Sequence, residues 1–114
     1  MPADKPLPYP DFIQALPKAK LAAEGPVAHL LSAPQGQMVF FELPPGGHVP
    51  PHSHGAQWGI IVAGEVELTI EDKTMTLRPG DSYYVPDGAV HSGTVKVFSR
   101  VVDVFAENDR YQAK

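Results

Sequence analysis

The sequence predicts an all-β domain, a β-sandwich or barrel of roughly eight to ten short strands. Three observations lead to this fold class. Of the 114 residues, 13 are proline and 10 are glycine, and they are scattered between apolar runs instead of forming one tract. Turn signals recur about every ten residues. The segment 65–71 alternates strictly between polar and apolar side chains, whereas the sequence has no heptad pattern, solenoid repeat or long amphipathic helix.

The first element is an N-terminal arm, residues 1–26, which holds six of the thirteen prolines. Within it, residues 11–16 form either a helical turn or a short strand that ends at Pro17. We expect this apolar arm to pack on its own barrel or on a neighbouring subunit. The barrel itself is predicted over residues 27–106, followed by a C-terminal tail over residues 107–114.

Each barrel strand follows from a local pattern. Runs 27–32 and 37–43 flank a Pro34-Gln35-Gly36 turn and indicate a hairpin. The nearly all-apolar run 58–62 predicts a strand that is covered on both faces. Alternation in 65–71 directs the apolar side chains inward and the glutamates toward water. The remaining strands are predicted at 74–77, 82–85, 90–95 and 97–105.

Composition and charge exclude several classes of protein. Apolar residues make up 43% and charged residues 19% of the chain, which is the balance of a globular domain. Nine basic and thirteen acidic residues give a net charge of −4, which argues against nucleic acid or an anionic membrane as the partner. The lack of cysteine excludes disulfides, thiolate ligands and thiol nucleophiles. With neither a signal-peptide pattern nor an apolar run of about 20 residues, a cytoplasmic protein is expected.

The histidines are the most informative residues, because three of the five (His48, His52 and His54) fall within seven positions. In an extended chain, residues i and i+2 point to the same face, so His52 and His54 project together. A third nitrogen from a distant strand would complete one face of an octahedron around a divalent cation. His91, delivered by a turn that contains Pro and Gly, is available. Taken alone, the H-x-H pattern is equally compatible with a structural or surface role.

Two motifs in this region resemble those of the cupin family. The first runs from Gly46 through His52-Ser53-His54 to Gly64, with Gln57 where the family usually has glutamate and with a spacing after the second histidine that is shorter than usual. The second comprises Gly80, Pro86-Asp87-Gly88 and His91, with Val95 where the family often has asparagine. The motifs span residues 46–95, and the strand pattern extends the resemblance to about residue 105.

The resemblance implies a cupin-type double-stranded β-helix, a jelly-roll barrel with one divalent transition metal in its mouth. The metal is zinc, nickel, iron, manganese or copper. Carried over by position, the ligands are His52, His54 and His91, and Gln57 is the fourth through its side-chain carbonyl. A cupin that has lost its metal is the alternative.

Gln57 bears on the chemistry because an amide, unlike a carboxylate, leaves the ion at its full charge. Such a centre favours polarisation of a bound carbonyl, enolate or water over oxygen activation. We therefore expect a Lewis-acid enzyme that isomerises, opens or cyclises a small polar carbonyl, enol or sugar-acid substrate. The alternatives are a cupin that binds a sugar acid or similar small ligand without turnover, and an O₂-dependent dioxygenase.

Two groups of cupins with glutamine at this position are similar to the chain: zinc-type polyketide cyclases and single-domain cupins that linearise unsaturated uronates. The second resemblance extends to Asp103-Val104-Phe105, which is similar to a D-x-F sequence whose Asp and Phe line the pocket. It implies that Asp103 moves a proton. Arg110 lies one residue out of register with an arginine that binds the substrate carboxylate, and is a weaker catalytic candidate. Alternatively, Asp103 forms a salt bridge with Arg100 or Arg110.

Four further residues and the oligomeric state complete the predictions. His48 is either a further ligand, a partner of a ligand or neither, and His29 is expected to be a strand residue without chemistry. Because side chains alternate along a strand, one of Tyr83 and Tyr84 must point inward. The apolar arm and the edge strands, which need to be covered, predict a homodimer.

Overall fold

The structure, a computed structural model, describes residues 7–114, which form nine β-strands and one helical turn. The helical turn is α1 (Asp11–Gln14). The strands are β1 (Val27–Ala33), β2 (Gly36–Leu43), β3 (His48–His52), β4 (Gln57–Ala63), β5 (Val66–Ile70), β6 (Lys73–Leu77), β7 (Ser82–Val85), β8 (His91–Val95) and β9 (Ser99–Phe105).

The strands form two antiparallel sheets around one core. The five-stranded sheet has the order β1-β2-β9-β4-β7, and the four-stranded sheet has the order β3-β8-β5-β6. After the β1–β2 hairpin, the chain crosses between the sheets at almost every connection, and only the β5–β6 hairpin stays within one sheet. The predicted all-β jelly-roll barrel is therefore confirmed, and the predicted hairpin closes where Ala33 pairs with Gly36.

Strand β4 is covered on one face only, so the prediction from its apolar run was wrong. Ile61 faces the core and is 1% exposed, whereas Trp58 and Val62 are 43% and 47% exposed. The run is apolar for two separate reasons, because the inward positions line the barrel and the outward positions belong to an apolar outer face of the five-stranded sheet.

Strand register stacks the inward-facing positions in successive layers. At one end of the barrel, Gln57 lies opposite Phe105, and His52 lies opposite His91. In the next layer, Asp103 on β9 pairs with Val39 and Gly59, and Gly59 also pairs with Tyr83 on β7. The layer at the far end is apolar, with Ile61, Phe41 and Val101 in one sheet and Val66, Leu77 and Val95 in the other.

The described part of the N-terminal arm packs on its own barrel. The Tyr9 hydroxyl donates to the Phe41 carbonyl at 2.9 Å, and the Arg100 guanidinium donates to the Leu7 carbonyl at 3.0 Å. Ala19 pairs with Ala113 of the C-terminal tail. The undecided segment 11–16 contains the helical turn α1. Residues 1–6 of the predicted arm lie outside the described residues, and no helix among residues 7–114 has the length and hydropathy to cross a membrane.

Candidate metal centre and adjoining pocket

Three histidines converge at one end of the barrel, as the sequence predicted. His52 ends β3 and pairs directly with His91, the first residue of β8, while His54 lies in the loop that leads to β4. One ring nitrogen from each residue lies within 4.8 Å of those of the other two. The ring of His54 also packs against Phe105, with centroids 5.5 Å apart, so the cluster faces the end of the five-stranded sheet that carries Gln57.

A hydrogen bond at Nδ1 fixes the orientation of each of these three rings. The acceptors are main-chain carbonyl oxygens of Pro50, Gly55 and Ala89, which lie 2.9, 2.8 and 3.0 Å from His52, His54 and His91, respectively. Because a carbonyl oxygen only accepts, Nδ1 carries the proton in each neutral ring and Nε2 keeps its lone pair. This tautomer leaves Nε2 free to bind a metal ion.

Burial keeps two of these rings neutral. Loss of solvation disfavours the imidazolium and lowers the pKa of His54 and of His91, although the main-chain hydrogen bond of each ring raises it. The neighbouring imidazoles and the charge of Arg110 lower both pKa values further. Since only the neutral imidazole is a ligand, the environment prepares the cluster for a cation.

Gln57 offers an oxygen to the same cavity. The residue opens β4, is 8% exposed, and lines the pocket together with the three histidines. Hydrogen bonding from its side chain lowers the pKa of Asp103, whereas its buried Oε1 has no hydrogen-bond partner. An amide donates to a carboxylate through Nε2, which leaves Oε1 to be satisfied by something else. Three imidazole nitrogens and one amide oxygen fit a divalent transition metal.

Asp103 is a buried carboxyl group in the next layer. Tyr83 donates a hydrogen bond to its Oδ1. Burial raises the pKa of Asp103 to about 6, while the hydrogen bonds from Tyr83 and Gln57 pull it down. Burial also raises the pKa of Tyr83, which keeps its phenol protonated as the donor. The alternative partner Arg100 lies on the opposite face of β9, where it pairs with Glu42 at 2.9 Å.

Gly59 makes room for the Tyr83–Asp103 pair. A Cβ on this residue would overlap Oδ1 of Asp103 and the phenol end of Tyr83. Both neighbours are direct cross-strand partners of Gly59, one on each side of β4. Sequence reasoning missed this role, although an isolated glycine within a strand is the signal of such a close approach.

Arg110 comes from the C-terminal tail and lines the same cavity. Its guanidinium stacks 4.9 Å from the ring centroid of Tyr111 and 5.9 Å from that of Phe105. Its buried Nε has no hydrogen-bond partner. The structure thus brings both catalytic candidates, Asp103 and Arg110, to the pocket that the metal-binding candidates line, despite the uncertain register of Arg110 in the sequence.

The other residues that the sequence singled out are two tyrosines, whose directions follow from the strand register, and two histidines that lie outside the cluster. Tyr83 points inward, and Tyr84 is 59% exposed. His48 is exposed on β3 and shares a hydrogen bond of 3.2 Å with Thr94, outside the histidine cluster. His29 is buried on β1, away from the cluster.

Glu107 is a second residue that the sequence analysis missed. Its Oε1 accepts a hydrogen bond of 3.1 Å from the Gly55 amide and lies 3.9 Å from Nδ1 of His54. It therefore ties the C-terminal tail to the loop that carries a candidate ligand. No local pattern in the sequence signals this contact, because 52 positions separate the two residues.

Comparison with known proteins agrees with this geometry. Residues 39–96, half of the chain, match the family model described as "Cupin domain". Among curated proteins, a mannose-1-phosphate guanylyltransferase of Sinorhizobium fredii is 42% identical over 40 residues. That match covers 35% of this chain and only 8% of the guanylyltransferase, so the chain spans a small part of that relative's length.

Several solved structures share the fold. KdgF from Halomonas sp. superposes with a TM-score of 0.72 and 25% identity, covering 80% of this chain and 87% of KdgF. An RmlC-like cupin from Shewanella frigidimarina has a TM-score of 0.74 at 20% identity, with 82% and 86% covered. A variant of oxalate decarboxylase from B. subtilis has a TM-score of 0.72 at 23% identity, with 82% of this chain and 28% of that protein covered. At these identities the last two show the fold alone.

Proposed function

Since this chain belongs to the cupin domain family, we propose that it binds one divalent transition metal and acts as a Lewis-acid enzyme. Its substrate is a small molecule that contains a carbonyl or enol group, and the reaction is an isomerisation, ring opening or cyclisation. One observation carries the proposal: three imidazoles have ring nitrogens within 4.8 Å of one another, and each Nδ1 is committed to a main-chain carbonyl.

His52, His54, His91 and Gln57 would hold the ion. All four side chains are neutral, so a bound divalent ion would keep its full charge and polarise a carbonyl, enolate or water. The buried Oε1 of Gln57 has no hydrogen-bond partner, which costs free energy in the folded state. This cost supports Gln57 as the fourth ligand, because a bound ion would satisfy the oxygen.

Asp103 is suited to move a proton beside this site. A pKa of about 6 is close to neutral pH, so the group exchanges a proton readily in either direction. Tyr83 holds Oδ1 by donating its hydroxyl proton, and this bond fixes the direction of the carboxyl group. Asp103 would accept a proton from the bound substrate as a carboxylate and return it to another atom.

Arg110 would bind an anionic group of the substrate. Its guanidinium is always charged at neutral pH, and the buried Nε has a free donor in the pocket. Stacking on Tyr111 holds the planar group in place without using its hydrogen-bond donors. A carboxylate on the substrate would therefore be oriented relative to Asp103 and the histidines.

Metal analysis of the purified protein tests the first step of the proposal. We expect about one equivalent of a divalent transition metal by mass spectrometry when no metal has been added. His54→Ala should lose the ion because it removes one of the imidazole ligands. His48→Ala is the matched control, since His48 is an exposed histidine outside the cluster and its variant should retain the ion. Equal metal content in both variants would contradict the assigned ligands.

Activity measurements separate the proposed enzyme from the two alternatives. The enzyme is supported if the protein turns over 4,5-unsaturated uronates or another enol substrate and a chelator abolishes this turnover. Binding without turnover would support a small-ligand carrier. Oxygen uptake by the iron-loaded protein in the presence of a substrate would favour a dioxygenase. The neutral ligand set is the reason to expect no such uptake.

A further inference from the structure

We propose that Glu107 is a positioning residue for the metal centre and that it acts on the His54 imidazole through the main chain of Gly55. The C-terminal tail, which carries Glu107, thereby raises the affinity of the site for its metal ion. The inference rests on the metal-dependent function proposed above and adds to it a residue from outside the ligand set.

Among the three clustered histidines, only His54 lies outside the strands. His52 and His91 are direct partners in the β3–β8 pair, so the strand register fixes their separation. His54 lies instead in the loop between β3 and β4, and the position of its ring depends on the conformation of that loop. Because loops are more mobile than paired strands, a ligand on a loop needs added support to meet the other two.

Gly55 links Glu107 to the His54 ring. Its carbonyl oxygen accepts the hydrogen bond from Nδ1 of His54 at 2.8 Å, and its amide donates to Oε1 of Glu107 at 3.1 Å. The carboxylate therefore holds the residue whose carbonyl fixes the orientation of the ring. Loss of a group that orients a metal ligand typically lowers metal affinity by about tenfold or more.

The lack of a side chain at Gly55 allows the carboxylate to approach. A Cβ there would lie 2.9 Å from Cγ and 3.1 Å from Cδ of Glu107, which is closer than such atoms normally come. Its three nearest neighbours beyond the adjoining residues would all be side-chain atoms of Glu107. Glycine at this position thus makes room for Glu107 in particular.

The zinc affinity of the full chain, measured by competition with a chelator, tests the inference. Glu107→Ala removes the acceptor of the Gly55 amide and should weaken zinc binding about tenfold. Glu107→Gln keeps an acceptor oxygen at the same place. A neutral acceptor retains about half the strength of a charged one, so this variant should bind zinc only about threefold more weakly than the wild-type protein.

Asn108→Ala is the matched control. Asn108 is the next residue of the tail, and its Nδ2 donates to the Pro34 carbonyl at 3.2 Å, in the turn between β1 and β2. The variant removes a side-chain hydrogen bond from the same segment, but this bond does not reach the loop that carries His54. Its zinc affinity should equal that of the wild-type protein.

Gly55→Ala gives a second, independent test, because the added methyl group displaces the Glu107 side chain. On its own, this substitution should weaken zinc binding. Combined with Glu107→Ala it should cause no further loss, since the atoms that the methyl group would meet are then absent. Such non-additivity is expected of two residues that act through one contact.

The outcomes distinguish this inference from the function on which it rests. If the wild-type protein binds zinc and Glu107→Ala binds it as tightly, the positioning role is overturned and the metal-dependent function stands. The role is likewise overturned if Glu107→Gln binds zinc as weakly as Glu107→Ala, if Asn108→Ala shows an equal loss, or if Gly55→Ala has the same effect with and without Glu107. If the wild-type protein binds no zinc, both proposals fail.

Discussion

At the candidate site, ionisation of one buried carboxyl group, that of Asp103, lowers the stability of the fold. Burial raises the pKa of Asp103 from 3.8 to about 6. Between these two pH values the folded state binds more protons than the unfolded state, so the free energy of unfolding falls as the pH rises through this window. A shift of about two units corresponds to a contribution of about 3 kcal/mol at most.

Asp103→Asn should remove this pH-dependent cost. Without metal, we expect the variant to be more stable than the wild-type protein at neutral pH, by up to about 3 kcal/mol. With metal bound, it should have lost the catalytic activity of the wild-type protein. The difference should shrink as the pH falls toward about 4, where Asp103 is protonated in the folded state and about half protonated in the unfolded state.

Urea unfolding of both proteins in the presence of a chelator, between about pH 4 and 7, measures this difference. Comparison of the two proteins removes the opposite contribution of His54 and His91, whose lowered pKa values make the fold more stable as the pH rises. Stability curves that run parallel across the whole pH range would show that Asp103 is not the titrating group.

At the scale of elements, the pocket depends on how closely β4 approaches its neighbours β7 and β9. Gly59 is the cross-strand partner of both Tyr83 and Asp103, and a Cβ there would overlap both side chains. Gly59→Ala should therefore destabilise the protein by about 1–3 kcal/mol, the usual cost of overpacking, and reduce activity by displacing Asp103.

Gly93→Ala is the matched control for this prediction. Gly93 also lies within a strand and lines the same cavity, but its Cβ would meet its nearest neighbours at 3.6 and 3.8 Å, an ordinary contact distance. The free energy of unfolding of Gly93→Ala should lie within about 1 kcal/mol of the wild-type value, because alanine suits a strand at least as well as glycine. Urea unfolding compares the two variants, and an equal loss of stability in both would contradict the role assigned to Gly59.

Local patterns predicted the elements well where a single periodicity was present. The alternation in 65–71 identified β5, and the i, i+2 spacing of His52 and His54 correctly placed both rings on one side of the chain. The apolar run of β4 gave a wrong prediction of burial on both faces. Periodicity does not distinguish a strand with two buried faces from one with a buried face and an apolar outer face.

The parts of the site that were not predicted depend on contacts between distant elements. No pattern near Gly59 in the sequence indicates that Tyr83 and Asp103 are its neighbours, because these residues meet only through the register of three strands. The contact of Glu107 with Gly55 has the same origin. Which of Tyr83 and Tyr84 points inward likewise follows from register, which alternation alone leaves open.

At the scale of the whole molecule, one outward row of side chains crosses the entire five-stranded sheet. Direct cross-strand pairing joins its members in order, from Leu31 through Met38, Val104 and Trp58 to Tyr84. All five are apolar or aromatic, and Leu31, Trp58 and Tyr84 are 51%, 43% and 59% exposed. The arm covers the same face beside this row, where Tyr9 packs edge-on against Phe40 at 5.6 Å.

We propose that a second copy of the chain covers this row in a homodimer. A continuous uncharged row can pair with itself about a two-fold axis, because the same surface on each subunit is then its own complement. Exposed apolar patches of this kind are typical of protein interfaces. Phe12, three residues after Tyr9 in the arm, is 75% exposed and would extend the contact.

Trp58→Glu should weaken this dimer at least tenfold, because it places a charge within the apolar contact and removes a large aromatic side chain, the kind that carries much of the binding energy at interfaces. Sedimentation equilibrium of the wild-type and variant proteins measures the change. Val97→Glu is the control, since Val97 is 50% exposed but lies in the turn between β8 and β9, outside the row, and the same substitution there should leave the dimer intact. A wild-type protein that remains monomeric at every concentration, or a control that dissociates as readily as Trp58→Glu, would rule out an interface on this face.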